Sequence, residues 1–235
     1  MLCSFSLADG VHAIYLGDQL IFLSLPQDRY WTLVGNAALA GAALLSARDS
    51  RPGIELLNKN LVPAIAEELI AAGLIVHDPE GRRPLAAATE RSFVGEVGDL
   101  LPHELSASSG RDLAEMALAF SKAKIRLIGR SGLKRTVARL ERRQACKSGY
   151  SDLESVRFRV ARFRCLRPIF TARTDKCLLN AVFLLEYLWL KRIRGSWIFG
   201  VRVAPFRAHC WVEWNGLLLD DDTESVGDFK PILRV

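Results

Sequence analysis

Three short apolar runs, rich in β-branched and aromatic residues, open the chain as strand candidates: VHAIYL from Val11, QLIFLSL from Gln19 and DRYWTLV from Asp28. Gly17-Asp18 and Pro26-Gln27 punctuate them, and connections this short make a three-stranded meander the natural arrangement. The apolar pattern then changes. Asn36 stands as a cap before AALAGAALLSA, whose small side chains permit close packing. After Pro52-Gly53 come GIELLNKN and then VPAIAEELIAAGLI, apolar at helical spacing, with Gly73 where that helix should stop. LIVHD can return as one more short strand.

A sheet of three strands followed by three helices is the order of a β-winged helix-turn-helix domain, expected over residues 1–80. Residues 81–110, rich in Pro, Gly, Ser and charge, read as a linker. Residues 111–145 read as helical. Their phasing runs through Leu113, Met116, Ala117, Phe120, Ile125, Leu127 and Ile128, breaks near Gly129 and Gly132, and resumes with Leu133, Val137 and Leu140. TDKCLLNAVFLLEYLWLKRI reads as a buried helix, with Thr174 as N-cap and Asp175 in the first turn. SWIFGVRV and FRAHCWVEW are strands. Asn215-Gly216 is a strong hairpin signal, and LLLDDD is the expected return strand. The fold class is α+β, with two modules.

Charge sharpens that division. Residues 1–80 hold nine acids and four bases, a net −5, while residues 111–176 hold eighteen bases and six acids, a net +12. A basic stretch suits nucleic acid, a membrane surface or an acidic peptide, and solvated helix faces account for it equally well. DNA binding is disfavoured, because the last helix of the first module carries Glu67 and Glu68 and no Lys or Arg. An acidic winged fold suits peptide capture by strand addition. The strand 28–34 and the helix 63–73 are the expected walls, with Arg29, Tyr30, Trp31, Thr32, Leu33, Ala64 and Glu68 as contacts. The longest apolar stretch, LVPAIAEELIAAGLIV, is interrupted by Glu67 and Glu68, so no membrane span is expected. The N-terminus lacks a basic leader and does not read as a signal peptide. Five cysteines without a C-x-x-C pair argue against a disulfide framework or a zinc site. Reduced thiols fit a cytoplasmic protein.

The candidate chemistry lies in the last sixty residues. Cys177 falls in the first turn of its helix, where the dipole favours a thiolate. His209 lies on a strand that can pack against that helix, and the hairpin brings aspartates back toward it. Thiolate, imidazolium and carboxylate form the papain-type arrangement. A strict two-residue turn places residue 209 opposite 222, so Asp222 and Asp220 share the His209 face. A bulged three-residue turn places Asp221 there instead. The pattern leaves both open. Cys210 neighbours His209 but points to the opposite strand face, so Cys177 is preferred. Cys3, Cys146 and Cys165 have no matching context.

Cys177-Leu178-Leu179, Gly200-Val201 and Phe206-Arg207-Ala208-His209-Cys210-Trp211-Val212-Glu213, followed by Asp220-Asp221, resemble the transglutaminase-like B protein of lasso peptide biosynthesis. That family usually shows C-L-x-x-S-L, F-x-A-H-A-W-V-E and a late N-D. Here Ala181 and Val182 replace Ser and Leu, Cys210 replaces Ala, and Asp220 replaces Asn. The first module is similar to the leader-recognition element of ribosomal peptide pathways, a relative of the small peptide chaperone of pyrroloquinoline quinone synthesis. The resemblance implies a cysteine leader peptidase of the bacterial cytoplasm, with Cys177 as nucleophile, His209 as base and acid, and Asp221 orienting the ring. It implies no cofactor and no metal. Its implied partners are a precursor peptide, cut where Thr is the usual penultimate leader residue, and an asparagine-synthetase-like cyclase. A transglutaminase or acyltransferase, a non-catalytic peptide adaptor and a winged-helix regulator are the rival readings.

Overall fold

The structure, a computed structural model, describes residues 5–45, 61–78, 93–98, 109–129, 131–145, 152–171 and 177–235. The chain divides into two compact units. One is residues 1–89 with 203–205, the other residues 90–202 with 206–235.

In the first unit the meander is present: β2 (Val11–Leu16), β3 (Gln19–Ser24) and β4 (Arg29–Val34) pair antiparallel in that order. Two helices follow, α1 (Asn36–Leu45) and α2 (Leu61–Ala71). Gly73, with a φ of +69°, closes α2 as a left-handed residue should. A short strand that the sequence reading did not anticipate, β1 (Phe5–Leu7), pairs antiparallel with β5 (Ile75–His77). The core is largely aliphatic around Phe22, joining it and Leu20 of β3 to Leu44 and Leu45 of α1 and Ile65 and Leu69 of α2. Gly41 shows why α1 needs small residues: a Cβ there would lie 2.8 Å from Leu20 and 3.0 Å from Leu33. The segment GIELLNKN and the cap residues Thr174 and Asp175 lie outside the described residues, as do Cys3 and Cys146.

The second unit packs helices on a five-stranded sheet. The helices are α3 (Gly110–Arg126), α4 (Gly132–Ala145), α5 (Leu153–Leu166) and α6 (Cys177–Trp189). The sheet holds β6 (Gly95–Glu96), β7 (Ser196–Val203), β8 (Phe206–Trp214), β9 (Leu217–Leu218) and β10 (Lys230–Arg234). Its order is β10-β7-β8-β9-β6. Three expectations need correction here. Part of the expected linker, residues 93–98, belongs to this unit: β6 pairs parallel with β9, and Val97 is buried. The α3 phasing is offset: Met116, Ala119 and Ala123 are buried, whereas Leu113, Ala117, Ile125 and Ile128 are exposed. LLLDDD is not a full strand, because β9 ends at Leu218 and the aspartates leave the sheet.

Helix α6 is buried from Asn180 to Leu188, as an all-round apolar helix must be. It lies on the face of β8 that carries Val212. At Gly195 a Cβ would meet Val212 at 2.9 Å and Leu185 of α6 at 3.0 Å. The other face is filled by Ile198, Trp211, Leu218, Val226 and Phe229, with Phe93 against them. Glu186 in the middle of α6 is held by both ends of the Arg143 guanidinium, at 2.7 and 3.1 Å, and by Arg126. Among the described residues no helix is long and apolar enough to cross a membrane.

Candidate active site

The β8–β9 turn decides where the chemistry falls. Asn215 and Gly216 both have positive φ, 48° and 78°, as a tight type I′ turn requires. Trp214 pairs with Leu217 and Glu213 with Leu218, the strict two-residue register. That register alone would bring Asp220 and Asp222 to His209. It does not, because the ladder stops one bond later, where the Leu219 N–H donates to the Val212 carbonyl at 3.1 Å.

Beyond that point each aspartate has its own partner. Asp220 pairs with Arg167, which follows α5, and lies 3.6 Å from the Arg164 Nε. Arg164 also donates to the Leu219 carbonyl at 2.6 Å. Asp222 caps the short helix α7 (Thr223–Val226), accepting the Ser225 N–H at 2.6 Å. Asp221 meets His209, Oδ1 to Nε2 at 3.2 Å. The loop is buttressed by the supposed linker, since the Thr223 N–H donates to Glu96 at 2.6 Å. Asp221 is therefore the residue beside His209, but not through the bulged register associated with it.

His209 is walled by two rings. Trp211 stacks nearly parallel to it at 6.2 Å, and Phe229 lies 5.7 Å away. Trp211 is itself fixed, its indole N–H donating to the buried Glu213 carboxylate at 2.7 Å, and Glu213 is also bound by Arg234 at 2.7 Å. With Nε2 turned to Asp221, Nδ1 is the nitrogen left for Cys177, whose thiol is hydrogen-bonded to His209.

Cys177 heads α6 and is exposed to a cavity of about 340 Å³ shared with Asn180, His209, Cys210, Asp220 and Asp221. Its pKa is lowered to about 4. The Cys210 thiol contributes most, burial opposes, and the His209 ring and the Cys210 backbone N–H add to the lowering. Burial alone would lower the His209 pKa, but hydrogen bonds with Asp221 and Cys177 raise it to about 9. The Cys210 thiol is pushed well up by its bond to Cys177 and by burial. Between these values the resting pair is thiolate and imidazolium.

Cys177, His209 and Asp221, all expected from the sequence, thus converge. Cys210, set aside as nucleophile in favour of Cys177, is buried and lies against the Cys177 thiol. Asn180, Arg167, Trp211 and Phe229 were not singled out as site residues. Only Asn180 carried a visible signal, a lone amide in an apolar helix three residues after the cysteine. Cys165 is exposed and lies outside the cavity. Among the described residues, no group of three His, Cys, Asp or Glu side chains could hold a metal ion.

Arg29, Trp31 and Thr32 of β4 are exposed, and Tyr30 is half-buried. Ala64 and Glu68 are exposed on one side of α2. Leu33 is turned into the core against α1, which packs on β4. Gln27 ties the end of α2 to β4, donating to the Ala72 carbonyl at 2.7 Å and accepting from the Trp31 indole at 3.0 Å.

A thiolate at a helix start, an imidazolium on the adjoining sheet and a carboxylate behind the ring form the same kind of arrangement as a cysteine–histidine–carboxylate triad. A family profile described as the Transglutaminase-like superfamily matches residues 116–234, just over half of the chain. The chain belongs to that superfamily, which includes cysteine peptidases and acyltransferases. Neither curated proteins nor solved structures gave a match.

Proposed function

We propose that this protein is a cysteine leader peptidase that frees the core of a ribosomally made precursor for lasso macrolactam formation. The observation that carries the reading is the preformed Cys177–His209–Asp221 constellation in an open cavity. The Cys177 thiolate attacks the carbonyl at the leader–core junction, forming a C–S bond and an oxyanion. His209 gives its Nδ1 proton to the leaving amine, the new core N-terminus. Water, deprotonated by His209, then hydrolyses the thioester, and Asp221 holds the ring throughout.

The first unit is the proposed leader-recognition element. Its β4 lies at the edge of the meander, with Trp31 and Val34 exposed beside it. An extended leader adding there would gain main-chain hydrogen bonds and apolar contacts. The proposed partner is an asparagine-synthetase-like cyclase that captures the freed amine, and the proposed compartment is the bacterial cytoplasm.

The test is mass spectrometry of the full-length protein with precursor peptides carrying Thr at the penultimate leader position. Two fragments whose masses sum to the precursor plus one water, absent with Cys177→Ala, are expected. A leader fragment gaining an added amine instead of water would mark an acyltransferase. Cleavage that survives Cys177→Ala would rule out this site as its source.

A further inference from the structure

Acyl transfer at Cys177 needs two donors for the carbonyl oxygen, and the backbone N–H of Cys177 supplies one. The side-chain donors lining the cavity are Arg167, Asn180, His209, Cys210 and Trp211. Three are committed: His209 to Asp221 and Cys177, Cys210 to Cys177, and Trp211 to Glu213. Arg167 is held on Asp220 through one guanidinium end, with its Nε left unpartnered among the described residues, and it lies on the segment after α5 rather than on the Cys177 helix.

Asn180 is different. It is 7% exposed, and its amide oxygen has no hydrogen-bond partner among the described residues. An unpaired buried amide costs about 1–3 kcal/mol. The neighbouring cavity residues on α6, Ala181 and Leu184, are apolar, so nothing in the helix itself calls for an amide. Residues three apart on a helix share a face with Cβ atoms roughly 5–6 Å apart, so the Asn180 side chain can reach the space above Cys177. With its oxygen unanchored, the amide can turn its NH2 into the cavity.

We propose that Asn180 is the second oxyanion donor of the Cys177 site. The inference rests on the acyl-transfer reading of that site and holds for hydrolysis and amine transfer alike. As the sulfur–carbon bond forms, the carbonyl pair moves onto oxygen. The oxyanion accepts the Asn180 amide N–H and the Cys177 N–H, and releases both as the amine departs with the His209 proton.

Two reactions of one thiolate separate this role from others. Iodoacetamide alkylates by displacing iodide and forms no oxyanion, whereas p-nitrophenyl acetate acylates through one. Asn180→Ala is expected to slow acylation of Cys177 by about 10²–10³-fold, leave alkylation within about twofold, and keep or raise the thermal midpoint. Asn180→Asp should acylate at least as slowly, its carboxylate repelling the oxyanion. Acylation at the wild-type rate in Asn180→Ala overturns the proposal. So does a proportional loss of both reactions, which would make Asn180 a structural residue. A wild-type Cys177 that alkylates but never acylates removes the acyl-transfer reading itself, and this proposal with it.

Discussion

A shared proton links Cys177 to His209, and the pair sets a pH window. Cys177 loses its thiolate as pH falls through about 4, and His209 loses its acid proton as pH rises through about 9. Alkylation of Cys177 should therefore stay near its plateau down to about pH 5, where an ordinary thiol is almost unreactive. Single-turnover cleavage should fall above about pH 9. Asp221→Asn removes the carboxylate that holds His209 up, so that alkaline limb should move to lower pH. Cys210→Ala removes the largest support of the thiolate, so the acid limb of alkylation should move to higher pH, read by rate against pH. At this scale the sequence was legible where a residue type met a local signal, as with Cys177 at a helix start and His209 beside an Asn-Gly hairpin. Arg167 was not legible, because an ion pair 53 residues long leaves no local pattern.

Elements explain why Asp221 was recoverable only in part. The Asn-Gly pair sets the register, but a register speaks only for residues still on the ladder. Arg164, Arg167 and Glu96 pull the chain off it after Leu219. Arg167→Met should leave the half-buried Asp220 without its closest partner, at about 2 kcal/mol of stability, and slow cleavage more than that loss explains. Urea unfolding beside single-turnover rates checks this. Gly200 is a second support. A Cβ there would sit 2.5 Å from the Trp211 ring and 3.0 Å from Phe229, the two walls of His209. Gly200→Ala should cost about 1–3 kcal/mol by overpacking and lower the rate of cleavage at saturating peptide. The α3 face was misphased because its exposed Leu113 and Ile125, and Ile128 just beyond it, are as apolar as its buried Met116.

For the molecule as a whole, the charge division of the sequence is real but partly spent inside. Arg126 and Arg143 meet Glu186, Arg159 meets Glu115 at 2.5 Å, and Arg164 and Arg167 meet Asp220. Pairings of this kind are invisible to a running charge count. The first unit shows its own division of labour, with a paired core and an exposed β4 edge. Val34, 56% exposed, contributes nothing obvious to that core. Val34→Lys and Trp31→Ala should raise KM for a full-length precursor several-fold while leaving kcat and Cys177 alkylation unchanged. Equal KM values would place leader capture elsewhere.

The aspartate run has a consequence for how this stretch can vary over evolutionary time. Asp220, Asp221 and Asp222 are one letter repeated, yet one anchors a loop, one steadies a ring and one starts a helix. Identity is assigned purely by distance from the turn. A single-residue insertion or deletion between Leu218 and Thr223 would leave an acidic run that still aligns well, while handing each carboxylate its neighbour's task. Such a sequence would look intact on the page and be broken in the fold, so the spacing here matters as much as the residues.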